Sequence, residues 1–302
     1  MTETVLISEV GPRDGLQNAR GHLSTAQKCA LIDALHAAGL REIEVGSFVP
    51  PKVLPQMAGT AEVVAHCLTL PNLTVAVLVP NLKGGLRALE SGAHKITVPV
   101  SVSAAHSRAN VNMTPDEAVA QVAALCRARD AHPEGARPAI EGGLATAFGC
   151  TLAGAVPETE VVRLAAALAE AGADAVCLSD TTGMANPRQV RRLIRAVRAE
   201  IGDRLDGVHL HNTNGLGLAN AYAAFEEGER TFDASLAGLG GCPWAPGATG
   251  NIVTEDLVNM FEAMGVATGV DLDRLMAARA LLAAAMPDEP LYGHVTAPAC
   301  AA

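Results

Sequence analysis

Two histidines one residue apart, in "HLHNTNG" (209–215), close an apolar run that reads as a strand. Side chains on a strand alternate between its faces, so His209 and His211 point the same way, about 7 Å apart along the chain. Two imidazoles so placed can converge on one metal ion. Taken alone, they could equally be one core histidine and one at a rim. Near the N-terminus, "GPRDG" (11–15) sets a cation, Arg13, beside an anion, Asp14, directly after another apolar run. A third segment, "GATGN", ends on Asn251. Two imidazoles, a carboxylate and an amide oxygen form a mixed nitrogen and oxygen donor set. It suits Mg²⁺, Mn²⁺ or another octahedral divalent ion better than a tetrahedral thiolate zinc site does.

Cys242 lies in "SLAGLGGCPWAPGATGN" (235–251), where glycines stand at 238, 240, 241, 247 and 250 and the only tryptophan is Trp244. Such a loop has little backbone restraint and can close over a ligand. A thiol there could give or take a proton at a carbon centre, although free cysteines usually serve as small buried hydrophobes. Glu44 and Ser47 end the run "EIEVGSF" (42–48). Glu44 alternates with Ile43 and Val45, so it faces the opposite side. An inward carboxylate needs a partner, and Arg13 is the obvious one; a plain structural ion pair is the alternative. Asp180, in "CLSDTTG", is a further acid at a strand end, placed to hydrogen-bond a ligating histidine.

Eight β-branched runs can position these groups: 4–10, 42–48, 73–79, 95–102, 137–147, 174–180, 207–213 and 231–238. Between them lie Ala- and Leu-rich stretches of helical period, such as 24–39, 114–131 and 157–172. Several open on a cap and close on glycine, as at Thr114-Pro115-Asp116-Glu117 and at Gly39, Gly92 and Gly172. Eight evenly spaced units with no dinucleotide fingerprint favour a TIM (β/α)8 barrel over a doubly wound open sheet. The expected layout is one catalytic domain over 1–302, with the barrel at about 5–265 and an added helical tail at about 270–302. In that fold active sites sit at the C-terminal ends of the strands, where Arg13, Asp14, Glu44, His209 and His211 all fall.

Composition narrows the function. Of 302 residues 49% are hydrophobic, enough for a large core, and only 3% are aromatic, so Ala, Val and Leu must fill it. The net charge of −10 argues against a nucleic-acid partner. No apolar run is long enough to span a membrane, and the N-terminus has no basic n-region, so a cytoplasmic protein is expected. Seven scattered cysteines without CxxC pairs fit that compartment.

The segments "EVGPRDGLQN", "SFVPPKVLPQMAG", "HLHNTNG" and above all "SLAGLGGCPWAPGATGNIVTEDLV" resemble the 3-hydroxy-3-methylglutaryl-CoA lyases, over about residues 5–285. The Arg-Asp pair and the HxH pair are shared across a wider group of metal-dependent barrel lyases and synthases; the segment around Cys242 is specific to the lyase branch. The resemblance implies a divalent metal ion, Mg or Mn, on Asp14, His209, His211 and Asn251. It also implies Arg13 as the catalytic and substrate-binding arginine, Glu44 as the acid supporting it, and Cys242 as the active-site thiol. The implied reaction splits hydroxymethylglutaryl-CoA into acetyl-CoA and acetoacetate, with His209 or Asp14 as base and Cys242 as proton donor. Another 3-hydroxyacyl-CoA, such as citramalyl-CoA, is the alternative substrate. The partners so implied are an acyl-CoA and a second copy of the chain in a homodimer, with Cys300 at a position able to form an intersubunit disulfide. The chain departs from the family's usual HxHDTYG at Asn212 and Asn214, and from its usual tyrosine at Trp244. Its "TAFGCTLAGAVPE" stands where "GCPYEG" is commoner.

Overall fold

The computed structural model describes residues 3–240 and 250–295. Eight strands form a closed, all-parallel barrel in chain order, each hydrogen-bonded to the next and the last to the first. They are β1 (Leu6–Glu9), β2 (Glu42–Ser47), β3 (Thr74–Leu78), β4 (Lys95–Ser101), β5 (Ala139–Ala145), β6 (Ala175–Asp180), β7 (Leu205–Leu210) and β8 (Thr231–Ala234). Every expected strand forms, in a closed barrel rather than an open sheet. The helix Leu272–Ala285 supplies the expected addition after the barrel. Among the described residues, no helix is long and apolar enough to cross a membrane.

Local chemistry starts the helices where the sequence places them. Ser24 and Gln27 form a capping box for Thr25–Ala37, and Thr114 and Glu117 do the same for Pro115–Asp130, which has proline in its first turn. Each box satisfies backbone N–H groups that the first helical turn leaves free. Two helices, not one, separate β4 from β5, because Ser103 caps a short additional helix, Ala104–Val111.

The alternation of each strand sorts its residues into two layers. Outward residues such as Ile7, Ile43, Val75, Ile96, Val176, Val208 and Phe232 are buried against the helices. Phe232 and Phe225 both pack on Phe261, with ring centroids 5.0 and 5.5 Å apart. The inward face is polar instead. Lys95 Nζ lies 3.0 Å from Glu42 Oε1 and 2.8 Å from Glu141 Oε2. Burial opposes its charge, but the two glutamates outweigh burial and hold Lys95 protonated. Charged groups inside a barrel need partners of this kind, and these sit near the starts of β4, β2 and β5, beneath the C-terminal mouth of the barrel.

Candidate active site

Segments after β1, β7 and β8 converge with residues of β2 and β7 at the C-terminal mouth. After Glu9 the chain makes one wide helical turn, Gly11–Gly15, in which Arg13, Asp14 and Gly15 all donate backbone N–H bonds to Val10 O. That turn folds Arg13 and Asp14 back over the barrel instead of out to solvent, and both are buried. Arg13 Nε donates to Glu44 Oε2 and its Nη1 to Asp14 Oδ1, each at 2.5 Å. Glu44 therefore faces inward onto Arg13, as the alternation in "EIEVGSF" implied.

β7 stops at Leu210, so only His209 lies within it. His211 falls just past the strand, where it bridges to Asn251 and where Asn212 N–H donates to Gly250 O. The two imidazoles still converge, with Nε2 atoms 3.1 Å apart. One ligand atom each from Asp14, His209 and His211 lies within 4.8 Å of the others. Asn251 joins them: its Nδ2 donates to Asp14 Oδ2 at 2.6 Å. Among the described residues, the amide oxygen, Asn251 Oδ1, is buried without a hydrogen-bond partner, and so is His211 Nδ1. A buried acceptor left unsatisfied beside a carboxylate and two facing imidazole nitrogens fits a divalent cation better than it fits a closed polar network.

The electrostatics separate these groups. Burial alone would raise the Asp14 pKa. Arg13 foremost, then His209, His211 and the Asn251 amide outweigh it and hold the carboxyl well below the usual carboxylate range. For Glu44 burial prevails over the pull of Arg13 and pushes its pKa up to about 7. Its second oxygen, Oε1, is buried with no partner among the described residues. Burial disfavours the charged form of His209, but Asp233, bonded to its Nδ1 at 3.0 Å, raises the pKa overall. His211, lacking such a carboxylate, is driven down to about 3 by burial and by His209.

Asp233 is a residue of this site that sequence reasoning missed. It lies on β8 in register with His209 and fixes the orientation of that ring, the role assigned from the sequence to Asp180. Asp180 does something else. It pairs in register with Leu210, on the outward parity of β6, and accepts from the backbone N–H groups of Met184 and Ala185. It shapes the loop after β6 and makes no bond to a histidine. The signal for Asp233 was available: an acid between Phe232 and Ala234 is the same alternation that exposed Glu44. Gln17 was also missed; its Nε2 donates to Asp14 Oδ1 at 3.0 Å. Ser47 Oγ accepts from Val49 N–H at 3.3 Å and so shapes the turn after β2. Cys242, Trp244 and Cys300 lie outside the described residues.

Known proteins share this architecture along nearly the whole chain. A lyase of Pseudomonas aeruginosa named for 3-hydroxy-3-isohexenylglutaryl-CoA and hydroxymethylglutaryl-CoA is 43% identical over 277 residues, 91% of each chain. An (R)-citramalyl-CoA lyase of Chloroflexus aurantiacus is 40% identical, over 94% of this chain and 92% of that one. The solved structure of an HMG-CoA lyase from Acinetobacter baumannii, in complex with coenzyme A and 3-methylmalate, superposes with a TM-score of 0.89 at 40% identity, covering 96% of this chain and 93% of that one. A family model described as HMGL-like matches residues 4–282. Built on the closed barrel that carries this polar mouth, the chain belongs to the HMGL-like family and is a carbon–carbon lyase.

Proposed function

We propose that the protein cleaves 3-hydroxy-3-methylglutaryl-CoA between C2 and C3 to give acetyl-CoA and acetoacetate, and that Arg13, Asp14, Glu44, His209, His211, Asn251 and Cys242 carry the reaction. The observation that bears most weight is the cluster of Asp14, His209 and His211 with the unpartnered Asn251 Oδ1, set against the Arg13–Glu44 pair. Asp14, His209, His211 and Asn251 would hold a divalent ion, Mg²⁺ or Mn²⁺. When bound, such an ion supplies Lewis acidity toward substrate oxygens and orients them.

The chain's own groups account for the proton and the charge. Cleavage removes the proton of the C3 hydroxyl; the O–H electron pair becomes the ketone carbonyl, and the C2–C3 pair becomes a thioester enolate. Asp14 is a poor proton acceptor, because Arg13 holds it ionised. An imidazole nitrogen engaged as a ligand has no lone pair left for the task. Glu44 meets the requirement better: Oε1 is unpartnered, and the pKa of about 7 is matched to general-base work near neutral pH. Protonating Glu44 also weakens its hold on Arg13. The guanidinium is then freer to stabilise the enolate oxygen as its charge develops. Cys242 is the proposed donor of the proton that C2 receives, which completes acetyl-CoA.

A second acyl group is kept in view by the citramalyl-CoA lyase relative and by Asn212 and Asn214, which depart from the pattern of hydroxymethylglutaryl-CoA lyases. The purified protein, stripped of metal and resupplied with Mn²⁺, is given each thioester in turn. Acetoacetate from hydroxymethylglutaryl-CoA supports the proposal. Turnover confined to citramalyl-CoA, read as pyruvate, transfers the assignment to the second reading, and no cleavage of either overturns both.

A further inference from the structure

One carboxyl group stands where the fold has no evident use for it. Glu9 shares the outward parity of Ile7 in β1 and pairs in register with Ile43, so it points into the apolar layer between barrel and helices and is fully buried. Its three partners come from three separate segments. Oε1 accepts the backbone N–H of Gly11 at 2.8 Å and that of Leu236 at 2.9 Å. Oε2 accepts from the hydroxyl of Thr254 at 2.7 Å, in the first turn of the helix Thr254–Ala263. Gly11 opens the turn that carries Arg13 and Asp14. Leu236 begins the stretch that leads to Cys242. Thr254 lies three residues after Asn251.

The backbone packing around Glu9 is close enough for small displacements to be transmitted. A Cβ on Gly11 would fall 2.5 Å from Glu9 Oε1, so only glycine leaves room for the carboxyl. At Gly240, where φ is +101°, a Cβ would lie 2.6 Å from both Cα and O of Gly15 and 3.0 Å from Asp14 O. Ser235 ties the same pieces together: its N–H donates to Ile252 O, and Thr254 N–H donates back to Ser235 O. The Asp14 turn, the start of the Cys242 segment and the Asn251 segment thus form one backbone-to-backbone stack with Glu9 at its junction.

We infer that Glu9 is a positioning residue of the metal site: by joining these three segments it sets the separation of Asp14 and Asn251, and it touches neither substrate nor ion. The inference rests on the metal-site reading proposed above. Its chemical requirement is specific. Two backbone N–H groups need one shared acceptor, and Thr254 needs a polar partner. Glutamine keeps an amide oxygen for Gly11 and Leu236 and offers an amide N–H to Thr254 Oγ1, whose hydroxyl turns from donating to accepting. Leucine matches the shape and supplies neither.

The test is Mn²⁺ binding to metal-free full-length protein, followed by electron paramagnetic resonance, with Tm measured in parallel on Glu9→Gln, Glu9→Leu and Thr254→Val. Glu9→Gln is expected to keep the wild-type Kd within about twofold, and Glu9→Leu to weaken it about tenfold or more, the range seen when groups behind metal ligands are lost. Thr254→Val, which removes only the arm beside Asn251, should fall between them, and it carries the test if Glu9→Leu does not fold. An unchanged Kd in a folded Glu9→Leu, or in Thr254→Val should Glu9→Leu not fold, overturns the inference even if Tm drops, because Glu9 is then a stability residue only. Equal losses in Glu9→Gln and Glu9→Leu also overturn it, since charge would then matter and hydrogen bonding would not. Wild-type protein that binds no Mn²⁺ overturns the metal-site reading itself.

Discussion

Replacing Arg13 with Met removes a cation bonded to both Asp14 and Glu44, at 2.5 Å in each case. The effect on turnover follows from the charge that Arg13 is proposed to meet. Loss of one donor aimed at a developing oxyanion costs about 3–4 kcal/mol, a fall of ~10²–10³ in kcat. Stability should fall as well, because two buried carboxylates lose their counter-ion; breaking a buried pair this way costs up to about 3–5 kcal/mol. Metal affinity should move the other way or not at all. Arg13 is the largest influence holding Asp14 ionised, but its own positive charge repels an incoming cation, so Mn²⁺ should bind Arg13→Met at least as tightly as wild type. Steady-state kinetics on hydroxymethylglutaryl-CoA at saturating Mn²⁺ gives the first quantity, and Mn²⁺ titration of the metal-free variant gives the last. Near-normal kcat would refute the enolate role. Lost metal binding would refute the division of labour between Arg13 and the ligands.

Asp233→Asn should weaken Mn²⁺ binding about 10–100-fold with little change in KM, since it removes the carboxylate that orients His209; a Mn²⁺ titration decides it. Gly240→Ala should lower kcat and Tm together, because at φ +101° the new Cβ meets the Gly15 backbone; unchanged values in both assays would show that this close approach yields freely. Burial lifts the Glu9 pKa from 4.5 in an ordinary glutamate to about 7, so the folded state holds that proton more tightly than the unfolded state does. Stability from this group is complete below about pH 4.5 and is lost as pH rises toward 7, by up to roughly 3 kcal/mol. Denaturant titrations of Glu9→Gln should therefore show a smaller decline over that window than wild type, and parallel curves would contradict the shift. Cys242→Ser, made with Cys300→Ala under reducing conditions, should bind Mn²⁺ normally and turn over slowly; full activity would remove the thiol from the mechanism.

The fold was legible because β-branched runs and capped helical stretches alternate eight times, and all eight runs form strands. The inward turn of Glu44 was legible for a simpler reason: an acid between Ile43 and Val45 must face away from them. The same logic applies to Asp233, an acid between Phe232 and Ala234. It also argues against Asp180 as a hydrogen-bond partner of the histidines, since its parity is outward. Where His211 sits was harder to read, since a bridge to Asn251 and not the strand itself carries it into place. Glu9 was beyond reach from sequence. Two of its partners are backbone N–H groups, one of them 227 residues away, and a backbone donor leaves no mark in the residue types.

The most direct test of the proposed cleavage follows the carbon skeleton. Metal-free protein resupplied with Mg²⁺ is mixed with ¹³C-labelled hydroxymethylglutaryl-CoA in D₂O and observed by NMR, with Asn251→Ala as the control. The expected products are acetoacetate and acetyl-CoA carrying one deuterium on its methyl carbon, formed only when metal is present and far more slowly by Asn251→Ala. Free hydroxymethylglutarate and coenzyme A, the products of thioester hydrolysis, or equal cleavage without metal, would contradict the proposed function.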